Sequence, residues 1–353
     1  MTSVFVHPSS NHLVEVLVHR PWLFGIANRV LISPYLVFHR DGQIGGIDDA
    51  RFRKWTLDED SVIFLDESGS RTMAFRVCEL GTNARVALAE CNTNINMAHF
   101  LLETESLLVY PQKEDSSVLT PLPKRRPNLV VLRAGKSSMH TSWLKDITDT
   151  ERNWDLCISW YDDAESFSQY AAGEYNVLQN ELKKFQSIHK LLYSGGALRE
   201  YDYVAFPDDD IDTSWRDINL MFEIAKCHKL MLCQPALHRS SFYSHQITLQ
   251  QSDKRLRYTN FVEVMFPVFS QAALERCVGS FPLSESSWGL DQLWPRLLGG
   301  HRYQIGVIDA VAVRHTRPVG GSYDQTKAFA DKYRLMHQFS APEDYQEFGF
   351  IVI

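Results

Sequence analysis

Three consecutive aspartates, Asp208, Asp209 and Asp210, are the residues of this chain whose types and spacing point most directly to chemistry. They follow the short apolar run 203–206, which is typical of a strand buried on both faces. Ligands of α/β proteins bind beyond the carboxyl ends of such strands. Because crowded carboxylates repel one another, they favour hard cations such as Mg²⁺ or Mn²⁺, which also bind substrate phosphates. The triplet predicts a metal–diphosphate site of the Asp-x-Asp type; the alternative is a solvated acidic loop that precedes the next helix.

A second carboxylate follows an aromatic residue near the start of a short predicted helix. Asp291 ends the sequence Trp-Gly-Leu-Asp, which begins at Trp288. Asp291 could cap the helix, or it could act as a general base, because a neutral hydroxyl is a poor nucleophile until a nearby carboxylate accepts its proton. In the second case Trp288 would offer a flat apolar face to an acceptor sugar.

A late strand, predicted over 307–313, leads into a polar segment that contains a histidine. His315 stands where that strand ends, close to Gly320 and Gly321, which would let the backbone move or approach a ligand. With Asp208 and Asp210, His315 could complete a mixed oxygen and nitrogen site, which suits Mn²⁺ better than Mg²⁺. Arg317 could neutralise a diphosphate or form a structural ion pair.

Further basic residues flank the strands that are expected to form the site. Lys183 and Lys184 open the helix before the aspartate-bearing strand, and Arg133 ends the first strand of the α/β region. Each could reach phosphate, although paired lysines on a helix are usually solvated. The residues expected to contact a donor nucleotide are Asp208, Asp209, Lys183, Lys184, Arg133 and Arg317.

From residue 128 onward, predicted strands and helices alternate. The predicted strands cover 128–133, 154–160, 201–206, 230–233 and 307–313, and the predicted helices cover 182–192, 216–228, 269–278 and 292–298. Alternation of this kind predicts a three-layer, Rossmann-like α/β domain with a mainly parallel sheet.

The chain before residue 128 has a different character. Residues 1–110 carry alternating strands and a hairpin turn at Asp41-Gly42, which predict a small β-rich module. Residues 111–127 contain four prolines and the basic triplet 124–126, and they are interpreted as a linker. The third region, 128–353, would be the catalytic domain.

Composition excludes several classes of protein. The chain has 353 residues and a formal net charge of −7, so a nucleic-acid partner held by a general basic field is not expected. The six scattered cysteines predict free buried thiols. No signal peptide and no run of about 20 apolar residues is visible, so we expect a cytoplasmic protein, with peripheral membrane contact open through the basic triplet.

Several segments of the α/β region together resemble the family catalogued as domain of unknown function 707. The resemblance covers about 128–322 and rests on the aromatic strand with its acidic triplet and on segments in one order: Gln-Pro-Ala-Leu at 234–237, His-Gln-Ile-Thr at 245–248, 262–270, 288–291 and 307–309. Family members are expected to read Trp-Asp-Glu-Asp or similar at the triplet. This chain has Pro207 and Asp209 there, but it keeps the acidic ends.

That family in turn resembles glycosyltransferases of the GT-A fold. The resemblance implies a nucleotide-sugar donor and a divalent metal, Mn²⁺ or Mg²⁺. It implies that Asp208 faces the ribose, that Asp210 and His315 bind the metal, and that Asp291 is the base of an inverting enzyme. It supplies neither the sugar nor the acceptor; we expect a glycan or glycolipid hydroxyl.

The leading hypothesis is therefore a metal-dependent, inverting glycosyltransferase, with polysaccharide biosynthesis as its setting. A retaining transferase or a nucleotidyltransferase would use similar metal–diphosphate chemistry. Outside enzymes, the chain could be a catalytically silent glycan-binding protein, and exposed aromatic residues such as Trp22, Trp55 or Trp143 would then bind the carbohydrate.

Overall fold

The computed structural model describes most of the chain. The described residues are 10–18, 20–26, 30–59, 61–80, 86–90, 99–103, 108, 119–147, 151–180, 182–195, 197–299, 302–319 and 324–353. Gly320 and Gly321, residues 111–118 of the predicted linker and Cys91 lie outside them. The chain divides into two compact units, one comprising Met1–Leu107, Arg296–Gly300 and Met336–Pro342, the other Leu108–Pro295, His301–Leu335 and Glu343–Ile353.

The first part of the chain forms one helix and an eight-stranded antiparallel sheet. The elements are α1 (Ser10–Val18), β1 (Pro21–Ile26), β2 (Val30–Phe38), β3 (Ile44–Gly45), β4 (Lys54–Asp58), β5 (Ser61–Leu65), β6 (Arg71–Leu80), β7 (Val86–Glu90) and β8 (His99–Glu103). The strand order is β3-β2-β1-β8-β7-β6-β5-β4. Gly42 has φ +79° in the turn before β3, a conformation that glycine adopts without strain.

An aromatic core holds this sheet together. Trp22 is fully buried and Trp55 is 7% exposed. Trp55 packs edge-on against Phe38 at 5.3 Å between ring centroids, and its indole nitrogen donates to the carbonyl of His39. Trp143, later in the chain, is also fully buried. The alternative in which these three tryptophans are exposed carbohydrate platforms is therefore wrong, because all three side chains are buried.

From residue 128 the chain alternates between strands and helices. The elements are β9 (Asn128–Ala134), α2 (His140–Trp143), β10 (Trp154–Trp160), α3 (Ala164–Tyr170), β11 (Tyr175–Leu178), α4 (Lys184–Gly195), β12 (Tyr203–Ala205), β13 (Ile211–Asp212), α5 (Trp215–Cys227), β14 (Leu232–Leu237), β15 (Lys254–Thr259), β16 (Val268–Ser270), α6 (Gln271–Cys277), α7 (Leu290–Leu297), β17 (Ile305–His315), α8 (Gln325–Phe339) and β18 (Glu347–Val352).

These strands form a mixed sheet, which corrects the prediction of a mainly parallel one. The order is β11-β10-β9-β12-β16-β14-β17-β15-β18, with β13 paired to the end of β17. Strands β11, β10, β9 and β12 are parallel to one another, and β14 is parallel to β17. Strand β16 runs antiparallel to its neighbours β12 and β14, and strand β15 runs antiparallel to its neighbours β17 and β18. The prediction assigned 269–278 to a helix, whereas Phe269 lies in β16 and the hydroxyl of Ser270 caps the helix that follows.

Helices pack on both faces of this sheet. Tyr203 donates a hydrogen bond from its hydroxyl to the carbonyl of Ala225 on α5. Phe206, three residues further on, instead packs against Phe185 of α4, with 6.2 Å between the ring centroids. Since side chains alternate along a strand, the two helices lie on opposite faces. The aspartate triplet leaves the sheet between these helical layers.

The basic triplet is engaged with the protein rather than fully solvated. Arg125 pairs with Glu200 at 2.6 Å, and Arg126 pairs with buried Asp155 at 2.7 Å and with Glu174 at 3.0 Å. Lys124 is exposed. In the part of the chain that the structure describes, no helix is long and apolar enough to cross a membrane.

Three of the cysteines behave as the sequence predicts and one does not. Cys157, Cys233 and Cys277 are buried free thiols, and burial raises the pKa of Cys157 to about 12. Cys227 is free but exposed, because it stands at the solvated end of α5.

We expect Asp155→Ala to destabilise the fold strongly. Its carboxylate accepts hydrogen bonds from the Arg126 amide and side chain and, at 2.8 Å, from the Tyr201 hydroxyl. Removing one partner of a buried ion pair costs about 3–5 kcal/mol, which urea unfolding would measure. The control is Asp202→Ala, which breaks an exposed pair with Lys226 and should cost under about 1 kcal/mol. Equal losses in both variants would contradict this assignment.

Candidate metal centre and active site

The aspartate triplet is fixed by strand pairing on one side and by a loop on the other. The amide of Asp208 donates to the carbonyl of Met265 at 2.8 Å. The carbonyl of Asp210 accepts from the amide of Thr316 at 3.1 Å and from its hydroxyl at 2.7 Å. In the β13–β17 pair, Ile211 lies opposite His315. This register brings the histidine, more than 100 residues later in the chain, to the triplet.

Asp208, Asp210 and His315 form a cluster that could hold a metal ion. One ligand atom from each lies within 4.8 Å of the others. His315 Nε2 is 3.3 Å from Asp210 Oδ2, while its Nδ1 lies 2.9 Å from the carbonyl oxygen of Phe242. A carbonyl only accepts, so Nδ1 carries a proton and the neutral ring presents the Nε2 lone pair to the cluster. This is the tautomer that a metal at Nε2 requires.

An oxygen without a hydrogen-bond partner also makes this set of donors suitable for a hard cation. Asp210 Oδ1 is buried and has no hydrogen-bond partner in the described part of the chain. A buried acceptor without a partner costs free energy, which a ligand at that atom would recover. Two carboxylates and one imidazole are ligands that Mn²⁺ accepts.

The charges of the cluster shift the pKa values of its members. Burial by itself would raise the pKa of Asp210, but the hydrogen bond from His315 and the charges of His315 and Arg317 lower it. Burial likewise opposes protonation of His315, but Asp210 raises its pKa above the ordinary value. Each residue therefore favours the charged form of the other, and a cation at Nε2 would compete with a proton for that nitrogen.

Lys184 compensates the charge of Asp208 from the opposite side. Its ammonium lies 2.7 Å from Asp208 Oδ1 and 2.7 Å from the carbonyl of Val264. Burial raises the pKa of Asp208, and the Lys184 charge opposes that rise. The side chain of Asp208 keeps 35% exposure, so it remains accessible to a ligand. Lys183, the other predicted phosphate contact, is exposed.

Asp209 is held by protein donors on both of its oxygens. Oδ2 accepts from the Tyr161 hydroxyl at 2.7 Å and from the Gly135 amide at 3.3 Å, and Oδ1 accepts from Arg317 at 2.8 Å. Arg317 Nε also lies 3.5 Å from Asp210 Oδ2. Arg317 thus forms the ion pair that the sequence left as an alternative, with 42% of its side chain exposed.

Arg133 is a buried neighbour of this network. Its guanidinium donates to the Ser159 hydroxyl and to the carbonyl of Leu182, and it lies over the Tyr161 ring at 5.4 Å. Burial lowers its pKa to about 10. The described contacts of Arg133 are therefore structural, and they orient the ring of the tyrosine that holds Asp209.

Asp291 lies in the first turn of α7 and is 7% exposed. The amide of Gln292 donates to its Oδ1 at 3.0 Å. Burial raises the pKa of Asp291 to about 6, although that hydrogen bond and the Lys332 charge oppose the rise. Gly289, two residues earlier, has φ +87°, and a Cβ there would lie 2.8 Å from the Cα of Lys332. The glycine is required because the turn passes close to α8.

Trp288 packs edge-on against Phe329, with ring centroids 5.0 Å apart. Its side chain is half-buried. Its expected contact with an acceptor stays a prediction.

Glu263 is a site residue that the sequence analysis did not single out. It is 8% exposed, and its Oε2 is buried without a hydrogen-bond partner in the described part of the chain. Burial, followed by the charge of Asp291, raises its pKa to about 8, and the charges of Asp208, His315 and Lys184 also act on it. Glu263 is thus close enough to both the aspartate–histidine cluster and Asp291 for their charges to act on its pKa. The only signal in the sequence was one acidic residue within the apolar segment 261–269.

The family that this chain resembles matches the region that contains the site. Residues 189–341 match the family described as Protein of unknown function (DUF707), which confirms the resemblance seen in the sequence. The matched range covers less than half of the chain, yet it contains Asp208, Asp210, Glu263, Asp291 and His315. No curated protein matches.

Three solved structures of GT-A glycosyltransferases are similar to part of the chain. S. aureus TarS 1-349 is 11% identical, with 60% of this chain and 71% of that chain covered and a TM-score of 0.38. The same TarS segment in complex with UDP-GlcNAc is 14% identical, with 60% and 65% covered and a TM-score of 0.41. GalNAc-T7 with UDP, GalNAc and Mn²⁺ is 9% identical, with 61% and 48% covered and a TM-score of 0.46.

We expect Glu263→Gln to change how stability depends on pH. A carboxyl whose pKa rises from 4.5 to about 8 on folding binds its proton more tightly in the folded state. Its contribution is therefore present below pH 4.5 and is lost as the pH rises towards 8. The variant should show a smaller fall in the free energy of unfolding between pH 5 and pH 8.5, measured in urea. Exposed Glu223→Gln is the control. An identical fall in wild type and Glu263→Gln would contradict the shift.

Proposed function

We propose that this protein is a metal-dependent, inverting glycosyltransferase that moves a sugar from a nucleotide-sugar donor to an acceptor hydroxyl. The observation that carries the proposal is the convergence of Asp208, Asp210 and His315, with the buried Asp210 Oδ1 left without a partner. A cation there would be bound by the two kinds of oxygen that such ions usually take, carboxylate oxygens from the protein and diphosphate oxygens from a substrate.

In this proposal Asp210 and His315 hold Mn²⁺ or Mg²⁺, and Asp208 stands beside the metal and the donor ribose. When bound, the cation supplies positive charge beside the departing diphosphate. The remaining parts of the site belong to the chain. Lys184 keeps Asp208 in place, and Tyr161 and Arg317 keep Asp209 in place, so that the carboxylates need not rearrange as the donor binds.

Asp291 is the proposed general base. It accepts the proton of the acceptor hydroxyl while the hydroxyl oxygen forms a bond to the anomeric carbon. The bond from that carbon to the diphosphate breaks on the opposite face, and its electron pair leaves with the nucleoside diphosphate. A base is most effective when its pKa lies near the working pH, and the pKa of about 6 at Asp291 supports the role.

In the proposed site, Glu263 acts as a neutral, protonated acid beside Asp291. With its pKa near 8, it keeps its proton at neutral pH, so it adds no charge beside Asp291 and can donate a hydrogen bond to a donor-sugar hydroxyl. The glycan-binding alternative is less well supported, because the three tryptophans on which it depended are buried. The configuration of the product separates an inverting from a retaining enzyme, and release of pyrophosphate would indicate a nucleotidyltransferase.

We expect a metal-dependent thermal shift with one class of nucleotide. The panel would contain UDP, GDP, dTDP and CMP with their sugar conjugates, each with and without Mn²⁺. A ligand at 100 times its Kd stabilises the folded state by about 2.7 kcal/mol, which raises the Tm by several degrees. Asp210→Asn should remove the Mn²⁺-dependent part of the shift. Asp212→Asn, which alters an exposed aspartate two residues away, should keep it. No shift with any nucleotide would overturn the donor site.

We expect Asp291→Asn to separate chemistry from donor binding. The amide cannot accept the proton, so turnover should fall about 10²–10⁴-fold while the donor-induced shift in Tm persists. The measurement is release of nucleoside diphosphate with the donor found above. The matched control is Asp331→Asn, because Asp331 caps the turn 284–286 and does not belong to the proposed machinery. Near-normal turnover in Asp291→Asn would remove Asp291 from the base role.

A further inference from the structure

A polar cavity lies beside the proposed active site. It has a volume of about 520 Å³ and is lined mainly by His245, Gln246, Gln251, Arg257, Tyr345 and Glu347, which we call the Tyr345 pocket. All these residues belong to the same compact unit. Small-molecule sites usually measure about 300–1,000 Å³ and are mostly apolar. A cavity of this size with a polar lining favours a ligand that carries many hydroxyl groups.

The charged groups of the pocket are already paired, which argues against an anionic ligand. Arg257 is 1% exposed and binds Asp309 with two hydrogen bonds, of 2.8 and 3.0 Å. It also donates to the carbonyls of Ile247 and Leu249. The guanidinium donors of Arg257 therefore hold the turn 247–249, which forms one wall of the pocket. Glu347 adds a carboxylate paired with Lys254 at 2.6 Å. Among the described residues that line it, the pocket therefore offers no unpaired cation to a phosphate or carboxylate.

The opposite wall provides a rigid aromatic surface with free hydrogen-bonding atoms. His245 packs against Phe261 at 4.7 Å and against Tyr345 at 5.2 Å, and Tyr345 is 37% exposed. Burial lowers the pKa of His245 to about 4, so the imidazole is neutral at pH 7 and offers one donor and one acceptor. Neither ring nitrogen has a hydrogen-bond partner in the described part of the chain. A sugar ring presents to such a wall both an apolar C–H face and hydroxyl groups.

Two short connections link the pocket to the proposed base and to the proposed metal ligand. The Tyr345 hydroxyl accepts a hydrogen bond from the side chain of Gln292 at 3.1 Å, and the amide of Gln292 donates to Asp291. On the other side, His245 follows Phe242 by three residues, and the carbonyl of Phe242 accepts from His315 Nδ1. A hydroxyl on a molecule in the pocket would therefore lie on the Asp291 side of the site.

From this placement we infer that the Tyr345 pocket binds a neutral saccharide, the non-ionic end of the acceptor. The inference rests on the proposed function, because it names the acceptor of that site. His245 and Gln251 would bind its hydroxyls, and Tyr345 would contact the ring face. Trp288 does not line this cavity.

The test is ligand-observed NMR by saturation transfer, with the methyl glycosides of glucose, galactose and N-acetylglucosamine as probes and without nucleotide. At least one probe should show transfer with the wild type. Gln246→Trp places a bulky ring on an exposed lining residue and should weaken that transfer at least tenfold. Gln169→Trp, on exposed α3, is the matched control and should not change it. Tyr345→Ala should weaken it as Gln246→Trp does.

The outcomes separate this inference from the proposed function. Absence of transfer from every probe, or transfer that survives both Gln246→Trp and Tyr345→Ala, would overturn the pocket as a saccharide site, whatever the nucleotide panel shows. Transfer that is lost in those variants and kept in Asp210→Asn supports it. If that result came with no nucleotide-induced shift in Tm, the transferase proposal would fail and the carbohydrate site would stand.

Discussion

Repulsion among carboxyl groups is the constraint on which this site depends. Asp210 raises the pKa of Asp208, and Asp291 and Asp208 raise the pKa of Glu263. Like charges in a partly desolvated region cannot all ionise without compensation. The charge of each carboxyl group is compensated in a different way. Lys184 pairs with one carboxylate and His315 with another, Glu263 keeps its proton, and Asp291 is held near its titration point. In the described part of the chain, Glu263 Oε2 and Asp210 Oδ1 remain without a partner, and only the second belongs to the cluster that could hold a cation.

The compensation depends on strand pairing rather than on local sequence. The two-residue strand β13 pairs with the last residues of β17, and that register sets His315 opposite Ile211. A one-residue slip would turn the imidazole to the other face and leave Asp210 buried without its partner. The Thr316 hydroxyl bonds the Asp210 carbonyl and resists such a slip. Tyr161 and Arg317 hold the side chain of Asp209, so in the proposed site the triplet would supply two ligands separated by a structural carboxylate.

Much of this could be predicted from the sequence where a local pattern carries the information. The apolar strand that ends in aspartates and the histidine at the end of a later strand are visible as patterns, and the structure brings them together. The mixed sheet was not predictable in the same way, because β16 has three residues and its direction is set by its neighbours. Glu263 was missed for a related reason: its significance lies in what surrounds it, and a single glutamate in an apolar segment has the same appearance at many surface positions.

Asp291 and Glu263 have unequal pKa values, and this difference lets the two carboxyl groups lie close together without both being ionised. Both are buried, but Asp291 receives a hydrogen bond from the Gln292 amide and feels the Lys332 charge, which favour the ionised form. Within the described residues, one oxygen of Glu263 receives no hydrogen bond, and the Asp291 charge acts on it; both favour the protonated form. At neutral pH one group is therefore a base and the other an acid. Backbone amides and one lysine contribute to that division, so a change at Lys332 would shift the balance between the two groups without touching either.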